Sequence, residues 1–141
     1  MQRVRATALV VRSENILMMH RIKNGEEYWV LPGGGVEANE NSKEAVLREL
    51  KEETNLTANK VKELFDFSDE VQRERIFLIE DAAGEEIKIG DGTNEQKSNN
   101  ENNQFHLVWL PIKKIPFTII YPNKTKQCLM EYFKLDNRKI I

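Results

Sequence analysis

The segment from Gly34 to Leu56, GGVEANENSKEAVLRELKEETNL, restricts the fold and chemistry of this chain more than any other stretch. On a helix, its residues Glu49, Glu52 and Glu53 stand at i, i+3 and i+4, so three carboxylates share one face. Like charges at that spacing repel each other, which disfavours the helix unless a cation lies among them. Oxygen ligands of this kind suit a hard ion such as Mg2+, which shares itself with substrate phosphates. The pattern therefore predicts a helix that carries a metal site.

A glycine-rich run, Pro32 to Gly35, leads into this segment. Glycine lets bare backbone approach a metal or a phosphate closely. We expect the helix to begin at Asn41 or Ser42, because Asn41 followed three residues later by Glu44 forms a capping-box pattern. The apolar side of the helix should dock on a sheet and leave the acids facing a cleft; that side comprises Ala45, Val46, Leu47 and Leu50.

The segment resembles the signature of the Nudix hydrolases, G-x5-E-x7-R-E-U-x-E-E-x-G-U, in which U is an aliphatic residue. Asn55 stands where the family has its last glycine, which would close the helix in the left-handed conformation. Asn is the best substitute for glycine there, so we expect a small loss of stability and no loss of chemistry. The positions that match the signature are Gly34, Glu40, Arg48, Glu49, Leu50, Glu52, Glu53 and Leu56.

This resemblance implies an α/β fold, a Nudix-like α/β/α sandwich with a mixed β-sheet, in which the signature forms a loop-helix-loop. It also implies hydrolysis of a phosphoanhydride bond in a nucleoside diphosphate linked to another group, with Mg2+ as cofactor and Mn2+ as a substitute. Nucleoside triphosphates, nucleotide sugars and dinucleoside polyphosphates all remain open as substrates. The alternative is a catalytically silent Nudix-like module that binds a nucleotide as a regulator, although such modules tend to lose the acids that this chain keeps.

The predicted metal ligands are Glu49, Glu52 and Glu53, with the Gly33 carbonyl completing the oxygen shell as the resemblance implies. A divalent metal there would activate water and neutralise phosphate charge. Glu52 and Glu49 are the catalytic candidates, and Glu52 is the candidate general base on the helix. Arg48 completes the catalytic set by pairing with a carboxylate and orienting the ligands. A solvated, charged helix surface is the plain alternative for such acids.

A second source of the general base is a later loop, where Glu101, with Glu95 behind it, is the candidate. Each of these two glutamates, taken singly, is more often plain surface. For phosphate binding, Arg21 with Lys23 and the backbone of Gly34 and Gly35 are the candidates, although a solvated charge is the simpler interpretation of Arg21. Four aromatic residues could stack on a base, although aromatic residues in strands are usually core: Tyr28, Trp29, Phe105 and Tyr121.

The rest of the chain alternates strands and turns. Gly90 to Gln104 is polar and lacks apolar anchors, so it is either a mobile binding loop or simple surface. A short polar turn is expected around Lys113 and Lys114, and a closing helix from Asn123 to Leu135 should turn Leu129, Tyr132 and Phe133 inward. The predicted strands are Val4 to Val11, Ile16 to His20, Tyr28 to Leu31, Val61 to Phe67, Arg75 to Ile79, Ile87 to Ile89 and Phe105 to Leu110.

The 141 residues are expected to form a single domain, 1–141, with a net charge of -2 that gives no basic footprint for a nucleic-acid polymer. His20 and His106 have no second ligand at zinc spacing. The lone Cys128, most simply a small buried hydrophobe, and the lack of any membrane-length apolar run favour a cytoplasmic protein with no membrane partner. Relatives often form homodimers, which the sequence neither requires nor excludes.

Overall fold

The computed structural model describes residues 3–85 and 102–136. No helix in these two ranges is both long enough and apolar enough to cross a membrane. The elements, in chain order, are β1 (Arg3–Leu9), β2 (Val11–Arg12), β3 (Asn15–Lys23), β4 (Glu26–Val30), β5 (Gly33–Gly35), α1 (Ser42–Thr54), β6 (Val61–Ser68), β7 (Gln72–Ile79), β8 (Asn103–Pro111), a 3-10 helix (Ile112–Phe117) and α2 (Asn123–Tyr132).

The strands form two four-stranded sheets. In the first sheet, with the order β5-β1-β7-β6, β1 and β7 are parallel and the other neighbours are antiparallel. In the second sheet, β3 pairs antiparallel with β2, β4 and β8. The predicted α/β class with a mixed sheet is confirmed, and the antiparallel sheet is an addition that the prediction did not contain.

Side chains alternate between the two faces of β1, and this alternation separates core from cleft. Ala6 and Ala8 are fully buried on the face that carries α1. Arg5 and Thr7, on the other face, line a cleft. Small residues on the helix side let α1 pack closely on the sheet; its residues in this core are Ala45, Val46 and Leu50. The predicted apolar side of the helix is thus confirmed.

Both ends of α1 follow the local rules that the sequence suggested. The Asn41 side chain accepts from the Glu44 backbone N–H at 2.8 Å, and the Asn41 N–H donates to Glu44 Oε1 at 2.9 Å. Asn55 closes the helix with φ 66°, and its N–H donates to the Lys51 carbonyl oxygen. The capping box and the left-handed Asn55 are both confirmed.

Several boundaries differ from the predictions. β8 begins at Asn103, inside the stretch predicted as a loop, because Asn103 and Gln104 pair with the end of β3. Leu129 is buried as expected, but the prediction for Tyr132 is wrong: its side chain is 38% exposed, since it lies at the rim of the core against Phe65. The expected turn at Lys113 and Lys114 is the 3-10 helix. The predicted strand Ile87 to Ile89 lies outside the described residues.

Candidate functional site

A cleft of about 840 Å³ opens between the two sheets. The first sheet contributes β1, β5 and β7 to its lining, and the second contributes β3, β4 and β8, while Glu49 and Glu53 reach it from α1. Both positive and negative side chains line it. The cations of the lining are Arg3, Arg5, Arg21 and Lys23, and the carboxylates are Glu26, Glu49, Glu53 and Glu74.

Glu53 is held against the glycine strand β5. Its Oε1 accepts a hydrogen bond of 2.7 Å from the Gly33 backbone N–H, and the residue is only 8% exposed. A Cβ at Gly33 would collide with the carbonyl oxygen of Ala6 and with Thr7, so only glycine fits. The close approach of strand and helix therefore fixes where this carboxylate lies.

Glu49 lies equally close to the glycine strand. A Cβ added to Gly34 would stand 2.6 Å from Glu49 Oε1. That is closer than real Cβ atoms come to such an atom, so any side chain at Gly34 would displace the carboxylate. We call Gly33, Gly34, Glu49 and Glu53 the acidic edge of the cleft.

Arg48 connects the loop before α1 to the acids on it. Its Nε and Nη2 donate to the two Glu40 oxygens at 3.1 and 2.6 Å, and Nη2 also donates to the Gly35 carbonyl oxygen at 3.1 Å. Its Nη1 donates to Glu49 Oε1 at 2.9 Å and to Glu52 Oε2 at 3.4 Å. The bond with Arg48 lowers the pKa of Glu40 and raises that of Arg48. The expected pairing of Arg48 with a carboxylate is present, and its partners are Glu40, Glu49 and Glu52.

The three predicted metal ligands do not point to one place. Among residues 3–85 and 102–136, no three His, Cys, Asp or Glu side chains are close enough to hold a metal ion as they stand. Arg48 contacts Glu49 and Glu52, and Glu53 bonds to the glycine strand. The Glu52 side chain is 57% exposed and does not line the cleft.

Arg21, predicted to meet phosphates, lines the cleft together with Lys23. Its Nη2 donates to Asn103 Oδ1 at 2.9 Å. The guanidinium carbon lies 3.8 Å from the centroid of the Phe105 ring and 5.7 Å from that of Tyr28. Stacking on two aromatic rings holds this cation at the wall of the cleft.

Three of the four aromatic candidates for stacking line the cleft: Tyr28, Phe105 and Tyr121. The rings of Tyr28 and Tyr121 are 5.0 Å apart. A hydrogen bond to Glu26 raises the pKa of Tyr121. The fourth candidate, Trp29, stacks on His20 at 4.4 Å and does not line the cleft.

The sequence interpretation missed a polar group on β1 and β7. Glu74 is only 2% exposed; its Oε2 accepts from Thr125 Oγ1 at 2.6 Å, and its Oε1 lies 3.8 Å from Arg5 Nε. Burial raises the pKa of Glu74. The alternation of polar and apolar residues from Arg3 to Thr7 was the signal available for β1. Glu74 stands in the charged run QRER, which gives no such signal.

The remaining candidates lie elsewhere. The His20 and His106 rings are 5.9 Å apart, and His20 Nε2 is 3.0 Å from Glu27 Oε2. Cys128 is partly rather than fully buried, and burial raises its pKa. The loop candidates for the general base, Glu95 and Glu101, lie outside the described residues.

Comparison with known proteins identifies relatives. A family profile described as NUDIX domain matches residues 1–128. An ADP-ribose pyrophosphatase of Methanocaldococcus jannaschii is 36% identical over 102 residues, which cover 67% of this chain and 60% of that protein. The matched region is thus less than two thirds of that relative's own length.

Solved structures share the fold. A MutT NUDIX hydrolase from Burkholderia pseudomallei superposes with a TM-score of 0.68 at 24% identity, covering 92% of this chain and 96% of that chain. A NUDIX hydrolase from Nitrosomonas europaea superposes with a TM-score of 0.63 at 15% identity, covering 100% of this chain and 97% of that chain. At such identities, these likenesses establish the architecture alone.

Proposed function

The chain belongs to the NUDIX family and is a Nudix hydrolase, and from that premise we propose that it cleaves a phosphoanhydride bond in a nucleoside diphosphate linked to another group. The observation that carries the proposal is the acidic edge, where two carboxylates of α1 lie against the glycine strand in a cleft whose lining also contains cationic side chains. ADP-ribose is the first substrate to test, because the relative from M. jannaschii is named an ADP-ribose pyrophosphatase.

Glu49, Glu52 and Glu53, with the Gly33 carbonyl, are the residues that would hold a divalent metal, Mg2+ or Mn2+. Their oxygen donors match the preference of these hard ions. Gly34 supports the fit, since the place that its side chain would fill is taken by the Glu49 carboxylate. When bound, the metal would supply neutralisation of phosphate charge and activation of water.

The chain's own residues would bind and orient the substrate. Arg48 acts as a positioning residue, since it holds Glu49 and Glu52 while it is anchored to Glu40. We propose Glu52 as the general base, because Arg48 Nη1 donates to both Glu52 and Glu49 and so holds Glu52 beside a proposed metal ligand.

At the other wall, Arg21 and Lys23 would face phosphates that also meet the backbone of Gly34 and Gly35. Tyr28 and Tyr121 would contact the base.

The test is a phosphate-release screen of ADP-ribose, nucleoside triphosphates, nucleotide sugars and dinucleoside polyphosphates. It includes a phosphatase that frees phosphate from each product, with Mg2+ and Mn2+ in parallel and Glu53→Gln as the control. Metal-dependent release that disappears in the variant supports the proposal and names the substrate class. Silence across the panel, with a nucleotide still raising the melting temperature, would overturn it in favour of a nucleotide-binding module.

A further inference from the structure

The cleft contains buried polar atoms that are not paired. In the described part of the chain, three buried side-chain atoms lack a hydrogen-bond partner: Arg5 Nε, Thr7 Oγ1 and Arg21 Nε. All three residues line the cleft. Buried polar groups in native proteins are almost always paired, and an unpaired group loses its hydration without return. Their presence in one cleft indicates a surface that is completed by a ligand with hydrogen-bonding atoms.

Glu74 adds an acceptor to this surface. It stands opposite Arg5 in the register of β1 and β7, but the 3.8 Å between Glu74 Oε1 and Arg5 Nε is too long for a hydrogen bond. The other oxygen, Oε2, takes the Thr125 hydroxyl. The Arg5 Nε–H and the Thr7 hydroxyl on β1 thus lie on the strand next to the Glu74 carboxylate of β7. We call Arg5, Thr7 and Glu74 the cleft floor.

The charge of the cleft floor decides which part of a nucleotide it fits. A buried carboxylate repels a phosphate, so the phosphates do not belong next to Glu74. In the first sheet, β7 lies two strands from β5, which is about 10 Å at ordinary strand spacing. A ligand whose phosphates lie at the acidic edge would therefore place a neutral group, with both donors and acceptors, over the floor.

The opposite wall favours a flat group. Tyr28, Phe105 and Tyr121 contribute aromatic rings to the lining of the same cleft. Aromatic rings can stack on any of the nucleobases, because every base has a π-face. A carboxylate accepts from the amine of a base, and an arginine donates to its ring nitrogens or carbonyls. A nucleobase meets these requirements together, whereas a sugar has no planar π system to stack on the rings.

We propose that Glu74 accepts an amine N–H from the edge of the substrate's nucleobase while Arg5 and Thr7 pair with its acceptor atoms. This inference rests on the proposed function, because it assumes a nucleotide with its phosphates at the acidic edge. It makes the cleft floor a specificity-determining surface, separate from the residues that carry the chemistry.

The experiment compares two substrates that differ by one amine: ADP-ribose, and the same molecule with purine in place of adenine. The ratio of their kcat/KM values is measured for the wild-type protein, Glu74→Gln and Glu74→Leu. A site built around an N–H donor should prefer the amine roughly tenfold or more. The ratio should fall partly in Glu74→Gln, which keeps an acceptor but loses the charge, and approach one in Glu74→Leu.

Thr125→Val is the matched control, because it removes the hydrogen bond to Glu74 Oε2 and leaves the carboxylate in place. It should keep the preference for the amine. If Thr125→Val loses the preference as fully as Glu74→Leu, then Glu74 acts by holding α2 through Thr125. The proposal that Glu74 recognises the amine of the base is then overturned.

The outcomes separate the two proposals. Turnover of both substrates at equal kcat/KM in the wild-type protein overturns the cleft-floor inference and leaves the proposed function intact. Absence of turnover overturns the proposed function instead, and the same substrate pair is then compared by the rise in melting temperature. The inference is supported if ADP-ribose raises the melting temperature of the wild-type protein more than the purine analogue does and this difference is lost in Glu74→Leu. Equal rises with the two ligands in the wild-type protein overturn it.

Discussion

Glu53 and Glu74 are the two buried glutamates among the described residues, and both line the same cleft. Glu53 comes from a helix and accepts a backbone N–H from Gly33. Glu74 comes from the middle of a sheet and accepts a hydroxyl from Thr125. The same side chain, buried in both places, thus stands in two environments: Glu53 lies among other acids of α1, and Glu74 is a single carboxylate beside Arg5.

The difference lies in what surrounds each carboxylate. Next to the acidic edge, Arg48 bonds to Glu49 of that edge and to Glu40 and Glu52, so one cation faces more negative charge than it can neutralise. A further cation is favoured there. On the cleft floor, the single charge of Glu74 lies near the single charge of Arg5. Excess charge suits a metal with phosphates, and balanced charge suits a neutral ligand.

The sharpest test of this contrast exchanges each glutamate for its neutral isostere. Glu53→Gln should lower turnover about a thousandfold, because a metal ligand contributes several kcal/mol to stabilising charge in the transition state. Glu74→Gln should stay within about tenfold of the wild-type kcat, because it touches the bound base and not the reacting phosphates. Steady-state kinetics with the best substrate measures both. Equal losses of kcat in the two variants would show that the acidic edge and the cleft floor do not have separate roles in chemistry and in base binding.

A smaller effect is expected at the glycine strand. Gly34→Ala places a Cβ 2.6 Å from Glu49 Oε1, and the carboxylate, at the end of a flexible side chain, must move. A displacement of about 1 Å at a catalytic group lowers the rate about a hundredfold. The fold should survive, as circular dichroism and thermal melting will show. An activity equal to that of the wild type would exclude Glu49 from the chemistry.

Gly35→Ala is the matched control for that substitution. The nearest atoms to its Cβ would be those of the Arg3 guanidinium, at 3.2 Å and beyond, and not those of a carboxylate. We expect it to change KM more than kcat, since Arg3 lines the cleft as a cation rather than at the acidic edge.

Arg48→Lys should lower activity roughly 10- to 100-fold, the range seen when a residue that orients metal ligands is removed. Lysine keeps the charge but cannot bond to Glu40, Glu49 and Gly35 in the planar arrangement of the guanidinium. The loss should include a higher Mg2+ concentration for half-maximal activity. A variant with unchanged Mg2+ dependence and lower activity would assign Arg48 to stability alone.

The sequence predicted the acidic edge better than the cleft floor for a physical reason. Asn41, Glu44 and Asn55 act within a few residues of themselves, so capping rules placed α1 almost to the residue. The floor depends on register between distant strands, such as Arg5 opposite Glu74. No local pattern contains that register. The predicted start of β8 was wrong for the same reason. The polar Asn103 belongs to the strand because it pairs with Lys23, which is distant in the sequence.

Along α1, spacing predicted which acids share a face of the helix but not where each side chain points. Glu52 satisfies the helical pattern as well as Glu49 does, yet its side chain lies outside the cleft lining. The face of a helix spans a wide arc, so acids on the same face can point in different directions. On α1, the two acids that line the cleft are those that lie against β5, Glu49 at Gly34 and Glu53 at Gly33.

The smallest expected effects concern stability against pH, where Glu40 and Glu74 differ in sign. The hydrogen bond with Arg48 lowers the pKa of Glu40, so its stabilisation is present above the ordinary value of 4.5 and is lost as pH falls through the lowered pKa. Burial raises the pKa of Glu74, against smaller opposing effects of Thr125 and Arg5 and a reinforcing charge at Asp69. Its contribution is therefore present below 4.5 and is lost as pH rises through the raised pKa.

Thermal unfolding of Glu40→Gln and Glu74→Gln from about pH 3 to about pH 7, in chelator, should show this opposition. The melting temperature of Glu40→Gln relative to the wild type should fall by a few degrees as pH rises, because only the wild type gains the ionised pair with Arg48. That of Glu74→Gln should rise relative to the wild type, because the variant never has to bury a charge. Slopes of the same sign would mean that Arg5 compensates Glu74 as fully as Arg48 compensates Glu40.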